Sequence, residues 1–469
     1  MSRAKIFSVA KYVLFCSASI LLLAASGSSQ TISVSPASSP PNSTVLVSGS
    51  GFSAGAEVDI YFDTTDLAMT ITDGTGSFSK IALQVPAAAL PGNHTVSAKE
   101  PSTGASAQTP FLVNTNWSEF RMHSNRDGYN KTENVLSPAT VGGLKVLWKT
   151  YLVYLTGSAP AVVNGTVYLG AYQGVAGFAD FYALNAATGA IRWKYFNVIG
   201  NSVTSSPDVT GGVVYFGGDS GYLYALKAST GKLISAFNTG LLCVCSSPTA
   251  AGTVYFGDDY PAIIAEGPTT NWKHITDNKI YSSPAVVNGI VYAGSLGGSV
   301  YALDATNGAH RWRYLTGGPI TASPAVVNGI LYIDSADNNV YALNALTGAL
   351  VWKQAVPFDV YDQSSPAVAN GVVYVGSHDG NVYALDAVTG TVKWKYLTGG
   401  YVRSSPAVAN GVVYIGSSYG SLYALDASTG AVLWSYTLGG GLPVFSSPTV
   451  VNGVVYLAAA DGYVYAFGL

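Results

Sequence analysis

A proline-centred element that returns eight times at nearly constant spacing constrains this chain more than anything else in it. Aligned on the proline, the copies fall at Pro160, Pro207, Pro248, Pro284, Pro324, Pro366, Pro406 and Pro448, with gaps of 47, 41, 36, 40, 42, 40 and 42 residues. A period of about 40 residues marks a repeat architecture, in which one supersecondary unit stacks on copies of itself. In the unit that starts at Ser365, two β-branched runs of period two flank Asn370-Gly371, a pair that accepts positive φ at both turn positions and favours a type I′ hairpin. Asn-Gly recurs at 164–165, 288–289, 328–329, 410–411 and 452–453. A second turn at His378-Asp379-Gly380 leads into Val382-Tyr383-Ala384-Leu385, and a third at 386–390 leads into a strand containing Trp394. Each unit therefore reads as a four-stranded antiparallel meander, which cannot bury both faces alone. Eight of them stacked around an axis predict an all-β fold, an eight-bladed β-propeller over residues 144–469. The last unit stops at Leu469 without a tryptophan strand, while a matching strand containing Trp148 stands ahead of the first unit. That N-terminal strand is expected to close the last blade and leave no open sheet edge.

The rest of the chain divides by composition. Arg3, Lys5 and Lys11 precede an apolar stretch over 12–25 and small polar residues over 26–30, the anatomy of a signal peptide spanning residues 1–29. An exported protein follows, periplasmic, cell-surface or extracellular. Beyond the leader no apolar run of 18 residues escapes Gly, Pro, Asn or charge, so the mature chain is expected to hold no transmembrane segment. Residues 31–113 carry short alternating runs at Thr44–Val47, Val58–Phe62 and Thr95–Ala98, separated by Pro and Gly turns, and read as a small β-sandwich. Residues 114–143 read as a lead-in or linker. The net charge of −3 argues against a nucleic-acid partner. Charged residues are only 10%, while the chain holds 53 Gly and 32 Tyr, because the repeat uses Gly at its corners and Tyr between its layers. Of three cysteines, Cys16 lies in the leader, and Cys243 with Cys245 cannot make a disulfide framework.

The pattern Ala-x-Asp-x-x-x-Gly-x-x-x-Trp occurs at Ala302, Asp304, Gly308 and Trp312, at Ala384, Asp386, Gly390 and Trp394, and at Ala424, Asp426, Gly430 and Trp434. With Asn for Asp it returns at Ala183, Asn185, Gly189 and Trp193 and at Ala342, Asn344, Gly348 and Trp352. This resembles the tryptophan-docking motif of the pyrroloquinoline quinone (PQQ) repeat superfamily, which includes quinoprotein dehydrogenases and a non-enzymatic propeller subunit of the outer-membrane β-barrel assembly machine. The resemblance implies that Trp148, Trp193, Trp312, Trp352, Trp394 and Trp434, with Asp304, Asp386 and Asp426, are structural docking residues. Unit two departs from the pattern, with Lys227 for Asp and Ser235 for Trp, and unit three lacks the motif over 263–268 while keeping Trp272. Trp117-Ser118-Glu119-Phe120, His123, Gly128-Tyr129-Asn130, Leu136-Ser137-Pro138 and Leu144 resemble the segment that precedes such propellers. Ser35-Pro36, Val47-Ser48-Gly49-Ser50-Gly51-Phe52 and Ala54-Gly55 resemble the opening of immunoglobulin-like IPT/TIG domains.

For the dehydrogenase branch, the resemblance implies PQQ near the axis, a Ca²⁺ ion held by carboxylate and amide ligands, an Asp base, and a disulfide between adjacent cysteines over the ring. Here Cys243 and Cys245 are separated by one residue, and on one strand face they sit near the upper limit of disulfide geometry. The units carry no long insertions, and no Glu/Asn/Asp triplet is assignable to Ca²⁺. His94, His123, His274, His310 and His378 occupy unrelated repeat positions, and no two are expected to converge on a metal or a Ser/His/Asp arrangement. Asp334-Ser335-Ala336-Asp337-Asn338 reads as a polar hairpin turn. No catalytic residue, metal ligand or cofactor is therefore expected, PQQ and Ca²⁺ belonging to the alternative. A ligand would enter at the axial mouth, where the segments ahead of each innermost strand converge. The candidates are Lys279, Tyr281, Tyr361, Asp362, Gln363, Tyr401, Arg403 and Phe445, with Cys243 and Cys245; Lys279 and Arg403 make the mouth cationic. The reading is an exported, monomeric, non-enzymatic scaffold for a protein or glycan partner. A PQQ- and Ca²⁺-dependent dehydrogenase of alcohols or aldose sugars is the alternative, and a carbohydrate-binding surface protein a second.

Overall fold

The computed structural model describes residues 29–152, 157–171, 178–199, 202–240, 243–359 and 364–469; the leader, but for its last residue, lies outside them. The chain is all-β and propeller-like, and among the described residues the meander appears as eight sheets, seven of four strands and the seventh in order, Ala407–Thr437, with Tyr129–Asn130 added in parallel as a fifth. In the sixth, Ala367–Ala369 pairs with Val372–Gly376 across a two-residue turn in which Asn370 and Gly371 have φ of 49° and 76°. Asn381–Asp386 and the outer strand Val392–Leu397 follow in antiparallel register. The third strand is buried along its whole middle, as a layer covered on both faces must be, whereas the outer strand buries chiefly Trp394. Units two and three, for all their missing motif residues, keep the same four strands. In the eighth sheet, Thr449–Val451, Val454–Ala458 and Tyr463–Gly468 are completed by Lys145–Tyr151, with Trp148 opposite Ala466. The strand ahead of the first unit thus pairs the free edge of the last.

Neighbouring sheets are joined by a repeated clamp. The Trp312 indole Nε1 donates to the Ala345 carbonyl of the next sheet at 2.9 Å, and the Tyr292 hydroxyl donates to the same oxygen at 3.0 Å. Beneath the indole lies Gly348, where φ is 72° and a Cβ would stand 2.7 Å from Trp312 Cδ2, so glycine is required both for its backbone and for its size. The same clamp sets Trp193 and Tyr168 on Ala228, Trp272 and Tyr255 on Ala305, Trp352 and Tyr332 on Ala387, and Trp394 and Tyr374 on Ala427. Trp148 and Tyr456 of the eighth sheet close on Ala186 of the first. Trp434 donates instead to the Leu144 carbonyl at 3.0 Å. The docking carboxylates shape the turns: Asp386 Oδ1 accepts the amides of Val388 and Thr389 at 3.0 Å each, and Asp426 and Asp304 act alike.

The N-terminal region contributes a three-stranded sheet of Thr31–Ser35, Thr44–Ser50 and Phe78–Gln84, and a five-stranded sheet of Ser38–Ser39, Ser106–Val113, Gly92–Lys99, Glu57–Phe62 and Thr65–Ile71. Val47, Val58, Ile60, Val85, Val96 and Ala98 are its buried side chains with no exposure. By contacts the chain divides into two compact units, one made of the stretch ending at Ser35 with Leu46–Leu83 and Thr95–Thr109, the other of Pro36–Val45, Gln84–His94 and Pro110–Leu469. Among the described residues no helix is long and apolar enough to cross a membrane.

Candidate functional site

Two structures meet at the axis, and the first is a ring of serines. The amide of Ser206 donates to the Ser247 hydroxyl at 2.9 Å, and the same bond, at the same length, runs from Ser247 to Ser283, Ser283 to Ser323, Ser323 to Ser365, Ser365 to Ser405 and Ser405 to Ser447. The Ala159 amide reaches Ser206 at 2.8 Å, and the circuit returns through Ser446 Oγ on the Ser158 carbonyl and Thr449 Oγ1 on the Pro160 carbonyl. The Ser-Pro repeat thereby acquires a physical reason. Proline has no amide to satisfy, and the serine before it gives a buried amide of the neighbouring sheet its acceptor.

The second structure is the segment 117–130, which the sequence presents as a lead-in. Its backbone bonds in turn to Val162, Val209, Val286, Val326, Val368 and Val408 of six different innermost strands. Fully buried Arg126 donates to the carbonyls of Phe120, Ser247, Pro248 and Pro284 and to the Thr249 hydroxyl. Buried Arg121 donates to the carbonyls of Arg126, Ser365 and Pro366. Burial pulls its guanidinium down to about 9, still cationic at neutral pH. Burial pushes the Glu119 carboxyl well up, against the pull of Arg126 at 3.9 Å. The segment is a plug, tied to the sheets by two buried cations.

Between plug and mouth lies a cavity of about 300 Å³, floored by Phe120 and walled by hydroxyls of the serine ring with Thr204 and Thr321. Of the sequence-predicted residues, Tyr281, Arg403, Phe445 and Cys245 line it. Lys279, Tyr401 and Cys243 are not among its lining residues, and Tyr361, Asp362 and Gln363 lie outside the described residues. Lys279 corrects the expectation of a doubly cationic mouth. Its ammonium is 2.9 Å from Asp259, which also accepts from the Tyr281 hydroxyl at 2.8 Å, so its charge is answered locally. Arg403 lines the cavity against aromatic rings. Its guanidinium stands 5.9 Å from the Tyr401 ring and 5.8 Å from the Phe445 ring, and Tyr401 stacks on His378 at 4.1 Å. The result is a ladder of flat groups along one side of the mouth.

Cys243 and Cys245 form a disulfide with their Cα atoms 5.2 Å apart, which answers a question the sequence left open. Cys243 is 7% exposed and its Sγ lies 3.8 Å from the Asp219 carboxylate, while Cys245 is half-buried and faces the cavity. Burial raises Asp219 to about 6 although Ser202 and Thr204 pull it down. His274 and His310, on outer strands of neighbouring sheets, lie with their rings 6.2 Å apart and nearly parallel. Of the stretch expected to be a polar hairpin turn, Ala336, Asp337 and Asn338 form the turn, whereas Asp334 sits in the strand Ile330–Ser335, 3% exposed. Sequence reasoning missed Arg121, Arg126, Phe120 and Asp219; the only available signal was the pair of arginines in a chain so poor in charge.

The family model described as outer membrane protein assembly factor BamB matches residues 143–240, 238–400 and 397–468, and the IPT/TIG domain model matches 29–113. The chain is 28% identical over 187 residues to the dehydrogenase subunit of alcohol dehydrogenase (quinone) of Komagataeibacter europaeus, covering 37% of this chain and 23% of that protein. It is 29% identical over 194 residues to outer membrane protein assembly factor BamB of Yersinia pestis, covering 35% of this chain and 48% of that one. It thus spans less than half the length of either curated relative. Among solved structures, a europium-containing methanol dehydrogenase superposes with a TM-score of 0.64 at 15% identity, over 76% of this chain and 98% of that one. BamB from Moraxella catarrhalis does so with 0.59 at 21%, over 70% and 100%. At these identities the superpositions speak to the fold.

Proposed function

This chain belongs to the family described as outer membrane protein assembly factor BamB and carries an IPT/TIG domain ahead of its repeats, and from that membership we propose that it is a non-enzymatic binding scaffold exported to the bacterial cell envelope or beyond it. In this reading the eight sheets are the blades of one closed, monomeric propeller, and the two N-terminal sheets are an immunoglobulin-like sandwich that serves as a spacer.

The observation that carries the proposal is the chemistry of the axial cavity. A Ca²⁺ site needs six to eight oxygen ligands, drawn largely from carboxylates and carbonyls. Among the described residues the cavity wall offers hydroxyls, aromatic rings, one sulfur and Arg403, and no carboxylate or side-chain amide. Those donors favour a guest other than a Ca²⁺-bound quinone. They suit the end of a polypeptide or sugar chain, whose polar groups the hydroxyls can bond and whose flat or apolar parts can lie on Tyr401 and Phe445, both at least 40% exposed. The relatives named for outer-membrane protein assembly make a protein partner the better supported of the two.

The test is site-specific photocrosslinking in cells. A benzophenone side chain at Tyr401 or Phe445 is expected to give a discrete protein adduct, and one at Val388, 79% exposed in a docking turn, is not. Adducts at all three positions, or at none, would count against a binding mouth.

A further inference from the structure

The bridge at the cavity wall is asymmetric. Cys245 faces the cavity that Arg403 also lines, whereas Cys243 is 7% exposed and has the Asp219 carboxyl beside its sulfur at 3.8 Å. The loop closed by the bridge is one residue long, so it constrains almost none of the unfolded chain and adds little to stability by that route. Nor are these groups a ready metal site. The two sulfurs and the Asp219 oxygen lie within 4.8 Å of one another, but both sulfurs are committed to each other. What the arrangement does supply is an attackable sulfur, a sheltered leaving sulfur, and an acid next to the leaving one.

We propose that the Cys243–Cys245 bridge is a thiol–disulfide exchange site at the cavity wall, with Cys245 the sulfur attacked by an incoming thiolate and Asp219 the proton donor to Cys243. The thiolate forms a new S–S bond to Cys245. The old S–S bond breaks and its electron pair passes to the Cys243 sulfur. Asp219 gives its proton to that sulfur and becomes a carboxylate. The products are a mixed disulfide on Cys245 and a thiol at Cys243; in reverse, Cys243 attacks Cys245, returns its proton and expels the guest. Burial keeps a share of Asp219 protonated up to about pH 6, and Arg403 on the same wall favours an anionic guest.

The full-length oxidised protein is treated in two arms, one with glutathione and one with a short peptide carrying a single cysteine, then quenched with N-ethylmaleimide and mapped by mass spectrometry. The expected result is a mixed disulfide on Cys245 and maleimide on Cys243, and whichever arm reacts faster tells a small thiol from a polypeptide cysteine. In Cys243→Ser, glutathione disulfide is expected to load Cys245; in Cys245→Ser, Cys243 stays unloaded. Asp219→Asn is expected to slow opening about tenfold, with unchanged circular dichroism. A bridge that opens in neither arm until the protein is denatured would overturn the proposal. So would equal loading of the two sulfurs, or Asp219→Asn opening at the wild-type rate.

Discussion

Between the fourth and fifth sheets, Trp312 and Tyr292 share the Ala345 carbonyl above Gly348. Between the second and third, Ser235 stands in the tryptophan position and no indole crosses the gap. What holds that second joint lies nearer the axis. Asp208 of the second sheet accepts the Ala250 amide of the third at 2.7 Å, Asp219 meets Cys243, and the plug holds both sheets, its Ser118 carbonyl accepting the Val209 amide of the second and its Arg126 donating to Ser247, Pro248 and Thr249 of the third. The carboxyls follow the same division. Hydrogen bonds from turn amides and hydroxyls hold Asp304 down to about 2 and lower Asp386 and Asp426. Burial raises Asp208, Asp219 and Asp258. One repeat thus yields a joint that is clamped at its rim and another that is clamped from the plug, and the second is the one bordered by reactive groups.

The largest effects are expected from removing either clamp. Arg126→Ala leaves four carbonyls and the buried Glu119 without their cation and should lower unfolding free energy by about 3–5 kcal/mol in denaturant titrations. Trp312→Ala, by cavity formation and a lost hydrogen bond, should cost a similar ~3–5 kcal/mol. Hydrogen exchange separates the two. The first variant should loosen the third and fourth sheets, and the second the fourth and fifth; identical exchange maps would break the comparison.

A step smaller is Gly348→Ala. It combines positive φ, at about 1 kcal/mol, with a Cβ 2.7 Å from Trp312, which adds roughly 1–3 kcal/mol. Gly329→Ala, at φ 78° with no atom within 4 Å, should show only the first part.

Acid titration sharpens the contrast further. Asp219 holds its proton more tightly folded than unfolded, so its contribution is full below the ordinary carboxylate range and is lost as pH rises through about 6. Asp304 does the opposite, stabilising above the ordinary range and losing its effect as pH falls toward about 2. Exchange protection near Cys243 should therefore decline between pH 4 and 6 in wild type and stay level in Asp219→Asn. The smallest expected effect is that of Ser235→Trp. The third sheet has no docking glycine and Ala-Asp turn to receive an indole, so stability should stay within about 0.5 kcal/mol of wild type.

These contrasts also mark what the sequence could disclose. Trp312, Gly348 and Asn370-Gly371 were legible because side chain and position repeat together, and so were the missing clamp at Ser235 and the mouth lined by Tyr281, Arg403 and Phe445. Arg121 and Arg126 were not, since their partners are backbone carbonyls that leave no trace in residue identity. The neutralisation of Lys279 depends on Asp259, whose place beside the mouth follows from three-dimensional stacking. His274 and His310 escaped for a related reason: comparing positions within the repeat overlooks that outer strands of successive sheets lie side by side.

The axial cavity either binds a partner or serves quinone chemistry. Titration of the purified protein with PQQ in the presence of Ca²⁺, followed by absorbance and by dye-linked oxidation of alcohols and aldoses, addresses this most directly. No saturable spectral change and no dye reduction are expected. Saturable binding with dye reduction that Arg403→Ala abolishes would contradict the partner-binding reading.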